Sequence, residues 1–379
     1  MPARLPSAPP VLSGYSYIRP LGTGGFADVF LFEQNMPRRS VAVKVLLQDV
    51  VDADVLRMFN AEADVMARLS SHPSILTVYN ASISADGRPY LVMEFCPGSL
   101  SGRYRREQLG VAEVLHLAVK IACALETAHR SGVLHRDIKP SNILTTSFGA
   151  PVLADFGIAT SLATSNREQL FAMSVPWSAP EVIDEHTTGT VHSEVWAFGA
   201  TVYSLLAGRT PFELDGSKTS RDQLKQRIMR ARYTGIGRTD VPAELEQVLA
   251  RTMSRSPEQR QSSLLEVAQN LQHIQYQLGI QPTPLEVAGD EWAMAGGAVD
   301  FDNANVRGPV ISEVKVDSKR AARAPRQPGI ASRDEGTQFD GASRSGGGGN
   351  RGFIIGLVAG SLVLGVGATI GILALAGVL

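Results

Sequence analysis

Cysteine is almost missing from this chain: Cys96 and Cys123 are the two found in 379 residues. Two thiols are too few for a disulfide framework or a thiolate metal cluster, and both lie among apolar neighbours, as small core residues do. Such usage fits a reducing compartment. Net charge is missing as well, at −1 from 36 basic and 37 acidic residues, and aromatics make up 6%. Without a basic excess there is no electrostatic footprint for a polynucleotide, so nucleic acid is excluded as an expected partner. The first residues, MPARLPSAPPVLSG, carry prolines in place of the continuous apolar run of a secretory signal. The part that folds is therefore expected to stay on the side of the membrane where it is made.

Charged and amide side chains crowd into one stretch, Leu134-His135-Arg136-Asp137-Ile138-Lys139-Pro140-Ser141-Asn142, followed by Asp155-Phe156-Gly157. Phosphoryl transfer from a nucleotide asks for a carboxylate near the acceptor hydroxyl and for hard oxygen ligands around a divalent cation. Asp137 can accept the hydroxyl proton and Lys139 can neutralise the moving phosphate, while Asn142 and Asp155 can hold Mg²⁺ or Mn²⁺. Upstream, strands at Tyr15 to Leu21 and Val29 to Glu33 flank Gly22-Thr23-Gly24-Gly25-Phe26-Ala27. A turn this rich in glycine lets backbone N–H groups approach phosphate without Cβ interference. Val41-Ala42-Val43-Lys44 is a strand ending in lysine. From about Asp52 to Leu69, Val55, Met58, Phe59, Val65, Met66 and Leu69 recur at helical spacing, with Glu62 among them.

In this order and spacing, HRDIKPSN followed by DFG resembles the catalytic and magnesium loops of protein kinases. The resemblance runs from about Tyr15 to Leu278. It implies an α+β, bilobal fold, with a small lobe of five strands and one helix and a mainly helical large lobe. It also implies an ATP site built from Leu21, Gly22, Gly24, Gly25, Val29, Ala42, Lys44, Glu62, Glu94, Cys96 and Leu144. Lys44 would bind phosphates and pair with Glu62, backbone groups of Glu94 and Cys96 would meet the adenine edge, and Val29, Ala42 and Leu144 would sandwich it. Asp137 and Lys139 would be catalytic, Asn142 and Asp155 would hold metal, and Ser174 would bridge Asp137 and Lys139. His135 would join an apolar spine with Met66, Val78 and Phe156 rather than act as a base. Lysine two positions after Asp137 is the serine/threonine form of the loop, so the expected substrates are protein Ser and Thr.

Three departures from the family pattern stand out: Ala27 replaces a usual glycine, Ser174 a usual threonine, and Glu194 the Asp that braces the HRD turn. Ala179-Pro180-Glu181 matches the closing motif, with Glu181 expected to pair with Arg260. Helices are expected at Val111 to Arg130, Ser193 to Ala207, Arg221 to Ala231, Ala243 to Met253 and Ser262 to Leu278, where His116 and His129 read as ordinary helix residues. Thr160, Ser161, Thr164 and Ser165 lie in a long polar loop of the kind that autophosphorylation orders.

Residues 1–14 read as a Pro-rich leader and residues 279–350 as a flexible linker, whose end-to-end distance would be about 45 Å. From Phe353 to Leu379 no residue is charged. At about 1.5 Å per residue a helix there exceeds the ~30 Å hydrocarbon core, so one transmembrane helix is expected, in contact with membrane lipid. Arg344 and Arg351 place the preceding region in the cytosol, making a single-pass protein of the cell membrane. Gly356 with Gly360, and Gly367 with Gly371, have the spacing for close helix approach and a homodimer acting on itself in trans. A pseudokinase-type binding module tethered to the membrane is the alternative, and small-molecule phosphotransfer is disfavoured by the APE motif.

Overall fold

The computed structural model of the chain describes residues 4–51, 53–156, 174–214 and 219–289. Strands β1 (Tyr15–Thr23), β2 (Ala27–Asn35), β3 (Arg38–Leu46), β4 (Val78–Ile83) and β5 (Pro89–Glu94) make one antiparallel sheet in the order β1-β2-β3-β5-β4. Successive strand residues point to opposite faces. Phe30, Phe32, Val41, Val43, Val45, Tyr90 and Val92 share the upper face and form one buried cluster, completed by Leu12 from the segment ahead of β1. Val29, Ala42 and Lys44 alternate with them on the lower face.

Helix α1 (Ala53–Leu69) packs on the sheet through Phe59 and Ala63, which bury against Leu91, while Val65, Met66 and Leu69 reach the main core. Asp52, where the helical pattern is expected to start, lies outside the described residues. The apolar pair Ile75 and Leu76 lies ahead of β4, which begins at Val78. Ser74 to Leu76 is engaged elsewhere: Leu153 N donates to Ser74 O and Leu76 N to Leu153 O, both at 2.9 Å. That pairing fastens the sheet half of the molecule to the helical half.

A second, three-stranded sheet of β6 (Gly98–Ser99), β7 (Ile143–Thr145) and β8 (Pro151–Leu153) frames the loop that precedes it. The helical half comprises α2 (Leu100–Arg106), α3 (Val111–Arg130), α4 (Pro180–Ile183), α5 (Val191–Ala207), α6 (Arg221–Met229), α7 (Ala243–Thr252) and α8 (Leu264–Gln277). Helix α5 starts two residues ahead of the apolar pattern because Thr190 and Ser193 cap each other reciprocally, and it stops at Gly208, whose φ of 71° suits glycine. It is buried nearly all round, with Trp196 stacked on Phe212 at 5.4 Å. Truncating such an indole costs about 3–5 kcal/mol. Gly199 admits α7 closely, since a Cβ there would lie 1.8 Å from Thr252 Oγ1.

Packing continues past Leu278, where composition alone reads as linker. Ile280, Leu285 and Val287 press on the core, and Thr283 is buried, with its N donating to Gln275 Oε1 at 2.8 Å. Lys120 Nζ reaches Glu286 Oε1 at 2.6 Å, Ala288 N donates to Thr127 Oγ1 at 3.2 Å, and the His72 ring bonds Glu286 O at 2.7 Å. Residues 280–289 thus form a strap from α8 along α3 to the loop after α1. Among the described residues no helix is long and apolar enough to cross a membrane. The run Phe353 to Leu379 lies outside them, as does the linker beyond Gly289.

Candidate active site

Residues Leu134 to Asn142 cross from α3 toward β7 as a bent loop held at both ends. Arg136 takes φ 64°, a left-handed conformation that costs a non-glycine residue about 1–3 kcal/mol unless its surroundings impose it. They do. The Glu194 carboxylate on α5 accepts from Arg136 N, and its other oxygen bonds the His129 ring Nε2 at 2.5 Å, with both side chains buried. The longer Glu therefore performs the brace expected of Asp. His129 is the unforeseen member, placed 65 residues away in sequence on α3.

His135 is fully buried, with Nε2 bonding Ala154 O at 3.0 Å and Nδ1 accepting from Asp137 N at 3.2 Å. This pattern suits the neutral Nε2–H tautomer, and burial pushes the pKa down. Its ring lies 4.7 Å from that of Phe156, with Met66 in the same core and Val78 packed against it, as the spine requires. His135 is structural.

Asp137 faces outward from this turn. Its Oδ1 accepts from Ser174 Oγ at 2.7 Å, and its Oδ2 pairs with Lys139 Nζ at 2.7 Å and accepts from Asn142 Nδ2 at 3.0 Å. Lys139 Nζ also donates to Ser174 Oγ at 3.0 Å, so the hydroxyl bridges carboxylate and ammonium. Ser174 does the work expected of threonine. Beside it lies a pocket lined by Asp137, Ser174, Trp177, Ser178, Thr188 and Gly189.

Asn142 spends its amide protons on Asp137 O, at 2.8 Å, and on the Asp137 carboxylate, which leaves Oδ1, accepting from Ser141 Oγ at 3.3 Å, as the atom that could face a cation. Ala154 N donates to Asn142 O at 2.8 Å and so ties it to Asp155 next in the chain. Asp155 has φ 58°, and its Oδ1 accepts from Lys44 Nζ at 2.9 Å. The Lys44 ammonium holds this carboxyl below its usual pKa, outweighing desolvation. Carboxylate plus amide oxygen is a donor set that fits Mg²⁺ or Mn²⁺ completed by phosphate oxygens. The side chain of Glu62 lies outside the described residues, and so does its pairing with Lys44.

Overhead, Gly24 N donates to Ala27 O at 2.9 Å and closes the tip of the glycine-rich turn. A Cβ at Gly24 would press to 3.0 Å on that carbonyl, while one at Gly22 or Gly25 would meet no protein atom. Leu21, Val29, Cys96 and Leu144 are half-buried and pack on the same core as buried Ala42. Glu94 N is committed to Thr77 O at 2.9 Å, which orients the segment leading to Cys96. Burial, with Glu94 nearby, pushes the Cys96 thiol up to about 12, so it stays protonated. Farther down, Arg260 forks onto Glu181 at 2.6 and 2.9 Å and donates to His192 O and Ser254 O at 2.9 Å each. It also covers Trp196 at 5.0 Å, which makes it architectural.

The model of the protein kinase domain family matches residues 15–276. The chain belongs to the protein kinase family. It is 36% identical over 282 residues to serine/threonine-protein kinase PknK of Mycobacterium tuberculosis (strain ATCC 25618 / H37Rv), covering 73% of this chain and 25% of that protein. It is 32% identical over 248 residues to serine/threonine-protein kinase PrkC of Bacillus subtilis, covering 64% of this chain and 38% of that protein. A probable serine/threonine-protein kinase PknB of Lactococcus lactis is 34% identical over 209 residues, 54% of this chain and 33% of that protein. The chain thus spans a quarter to about two fifths of the length of these relatives. In this kinase domain, Gly157 and the loop hydroxyls Thr160, Ser161, Thr164 and Ser165 fall outside the described residues.

Proposed function

We propose that the chain is an ATP-dependent serine/threonine protein kinase. The arrangement of Asp137, Ser174 and Lys139 carries this reading: a carboxylate on the wall of a pocket, with a cation 2.7 Å from it and a hydroxyl joining the two. Asp137 orients the incoming Ser or Thr hydroxyl and takes its proton. Lys139 offsets charge developing on the transferred group, and Lys44 holds phosphate oxygens beneath the glycine-rich turn. Asn142 and Asp155 would hold Mg²⁺ or Mn²⁺, which when bound neutralises phosphate charge and fixes the geometry for in-line transfer. Labelled ATP with Mg²⁺ and a generic protein substrate tests this, with Asp137→Asn beside the wild type. Phosphoserine and phosphothreonine in the wild type alone support the kinase; label in neither supports the pseudokinase module.

The reading extends to the rest of the chain. The uncharged run Phe353 to Leu379 is a membrane anchor with the kinase domain on the cytosolic side, supported by Arg344 and Arg351 before it. Confinement to a membrane raises the encounter rate of two copies. Activation-loop phosphate at Thr160 to Ser165 is then added in trans, faster in vesicles than for residues 1–289 at equal bulk concentration. Mass spectrometry over time decides this, and equal rates would sever anchor from activation.

A further inference from the structure

The leader ahead of β1, which composition alone reads as a tail, is built onto the upper face of the sheet. Leu12 is 5% exposed and fills the cluster of Phe30, Phe32, Val41, Val43, Tyr90 and Val92. Arg88, also 5% exposed, donates to Ala8 O at 2.9 Å and to Ser7 Oγ at 3.2 Å, while Asp86 Oδ2 holds its other edge at 2.6 Å. The leader is therefore anchored at two places before it reaches its first residues.

Those first residues end on the glycine-rich turn. Ser7 N donates to Asp28 Oδ2 at 2.7 Å, and the Arg4 guanidinium pairs with Asp28 Oδ1 and donates to Gly24 O at 3.3 Å. Asp28 sits at the start of β2, one residue after Ala27, and is completely covered. Burial alone would raise its pKa; the Ser7 and Arg4 bonds reverse this and hold it below the usual value. Gly24 is the residue whose N–H closes the turn onto Ala27. One guanidinium thus spans the tip of the turn and the strand that leaves it. Val29, the next residue after Asp28, takes the opposite face of β2, toward the nucleotide side. The contact acts on the turn from behind, where it can set position without touching substrate.

We infer that Arg4 and Ser7 are positioning residues for the phosphate-binding turn: through Asp28 and Gly24 the leader holds Gly22 to Ala27 at the height from which its N–H groups meet ATP phosphates. The inference rests on the proposed kinase reading for its ATP end, and on geometry alone for its mechanical end. An unbraced turn samples more positions, and the fraction competent for nucleotide falls accordingly. Arg4 and Ser7 do not line the pocket beside Asp137 and Ser174, so binding of the protein substrate is expected to be unchanged.

The test uses the full chain with Arg4→Ala and Arg4→Lys. Hydrogen exchange of the amides Gly22 to Ala27, without nucleotide, is expected to quicken several-fold in Arg4→Ala. KM for ATP is expected to rise about three- to tenfold, as for loss of one charge-assisted contact, with kcat and the KM for protein substrate within about twofold. Arg4→Lys keeps the charge on Asp28 but has a single point donor, and recovers part of the effect on both readouts. Unchanged exchange in Arg4→Ala overturns the brace. Faster exchange with unchanged KM for ATP overturns its role in positioning, and a fall in kcat alone would mark a merely structural part. A wild type without kinase activity would sink the kinase reading, while exchange and binding of a fluorescent ATP analogue still decide the brace.

Discussion

Glu194→Ala is the substitution that strikes the geometry of the site hardest without touching substrate. In the wild type one carboxylate satisfies two buried donors, Arg136 N and the His129 ring. Its removal leaves both unpaired, at about 1–3 kcal/mol for each buried donor. It also frees Arg136 to leave φ 64°, a conformation worth about 1–3 kcal/mol in strain. The peptide that would turn is the one preceding Asp137. Stability is thus expected to fall by about 3–5 kcal/mol, in line with a broken buried pair. kcat per folded molecule should fall about ten- to hundredfold as the carboxylate loses its aim. Urea denaturation gives the first quantity, and steady-state kinetics at saturating ATP and substrate, well below the denaturation midpoint, give the second. Glu194→Gln can still accept from Arg136 N, but its amide must then face His129 and drive the ring proton to Nδ1, a buried atom without a partner. It should keep most of kcat while losing stability. Glu194→Asp keeps the charge and should restore kcat to within a few-fold. A Glu194→Ala variant with wild-type kcat and midpoint would refute the whole chain of reasoning, and lost stability with intact kcat would refute its catalytic half.

Other expectations follow from the same contacts. Asp137→Asn and Lys44→Met should each abolish autophosphorylation with an unchanged urea midpoint, because one loses the proton acceptor and the other the phosphate anchor. Arg260→Met should cost about 3–5 kcal/mol by stranding the Glu181 carboxylate, and adding Glu181→Leu should recover a large part of it, as calorimetry of the double variant would reveal. His72 supplies a pH dependence. Burial lowers its pKa below the ordinary 6.5, against the opposing pull of Glu286. The unfolded imidazole therefore binds a proton first, so the stability it contributes is present above about pH 6.5 and is lost as pH falls below that value. Nδ1 accepts from Ser74 N at 3.0 Å, a bond that protonation breaks. Urea midpoints at pH 7.5 and 5.5 should differ more in the wild type than in His72→Gln, and equal differences would dismiss the idea.

The candidate site residues were readable because their spacing in the chain is itself the signal: Asp137, Lys139 and Asn142 lie within one loop, and Ser174 was placed by the resemblance, at the position of the threonine that bridges Asp137 and Lys139. Where contacts join residues far apart in sequence, reading stopped. His129 looked ordinary because its partner is 65 residues away on α5. β4 starts only at Val78 because Ser74 and Leu76 answer to Leu153, which no local pattern announces. The leader and the strap both read as solvated chain for a shared reason. Each buries few apolar side chains and is held largely by backbone atoms, such as Ser7 N, Ala8 O and Glu286 O. Periodicity reports side chains and is silent about main-chain bonds.

The strap separates two boundaries that usually coincide. The stretch matched by the family model ends at residue 276, whereas contacts of the strap with the core continue to Ala288. A gene fusion cut at the first boundary would carry Lys120 and the Gln275 amide into the new protein without Glu286 and Thr283. It would also expose the floor on which Ile280, Leu285 and Val287 rest. Likewise, a cut at Tyr15 would leave Asp28 and the upper cluster bare of Arg4, Ser7 and Leu12. A transferable module has to carry the leader with Arg4, Ser7 and Leu12 and the strap through Ala288, and any chain built by recombining this domain inherits both flanks as part of it.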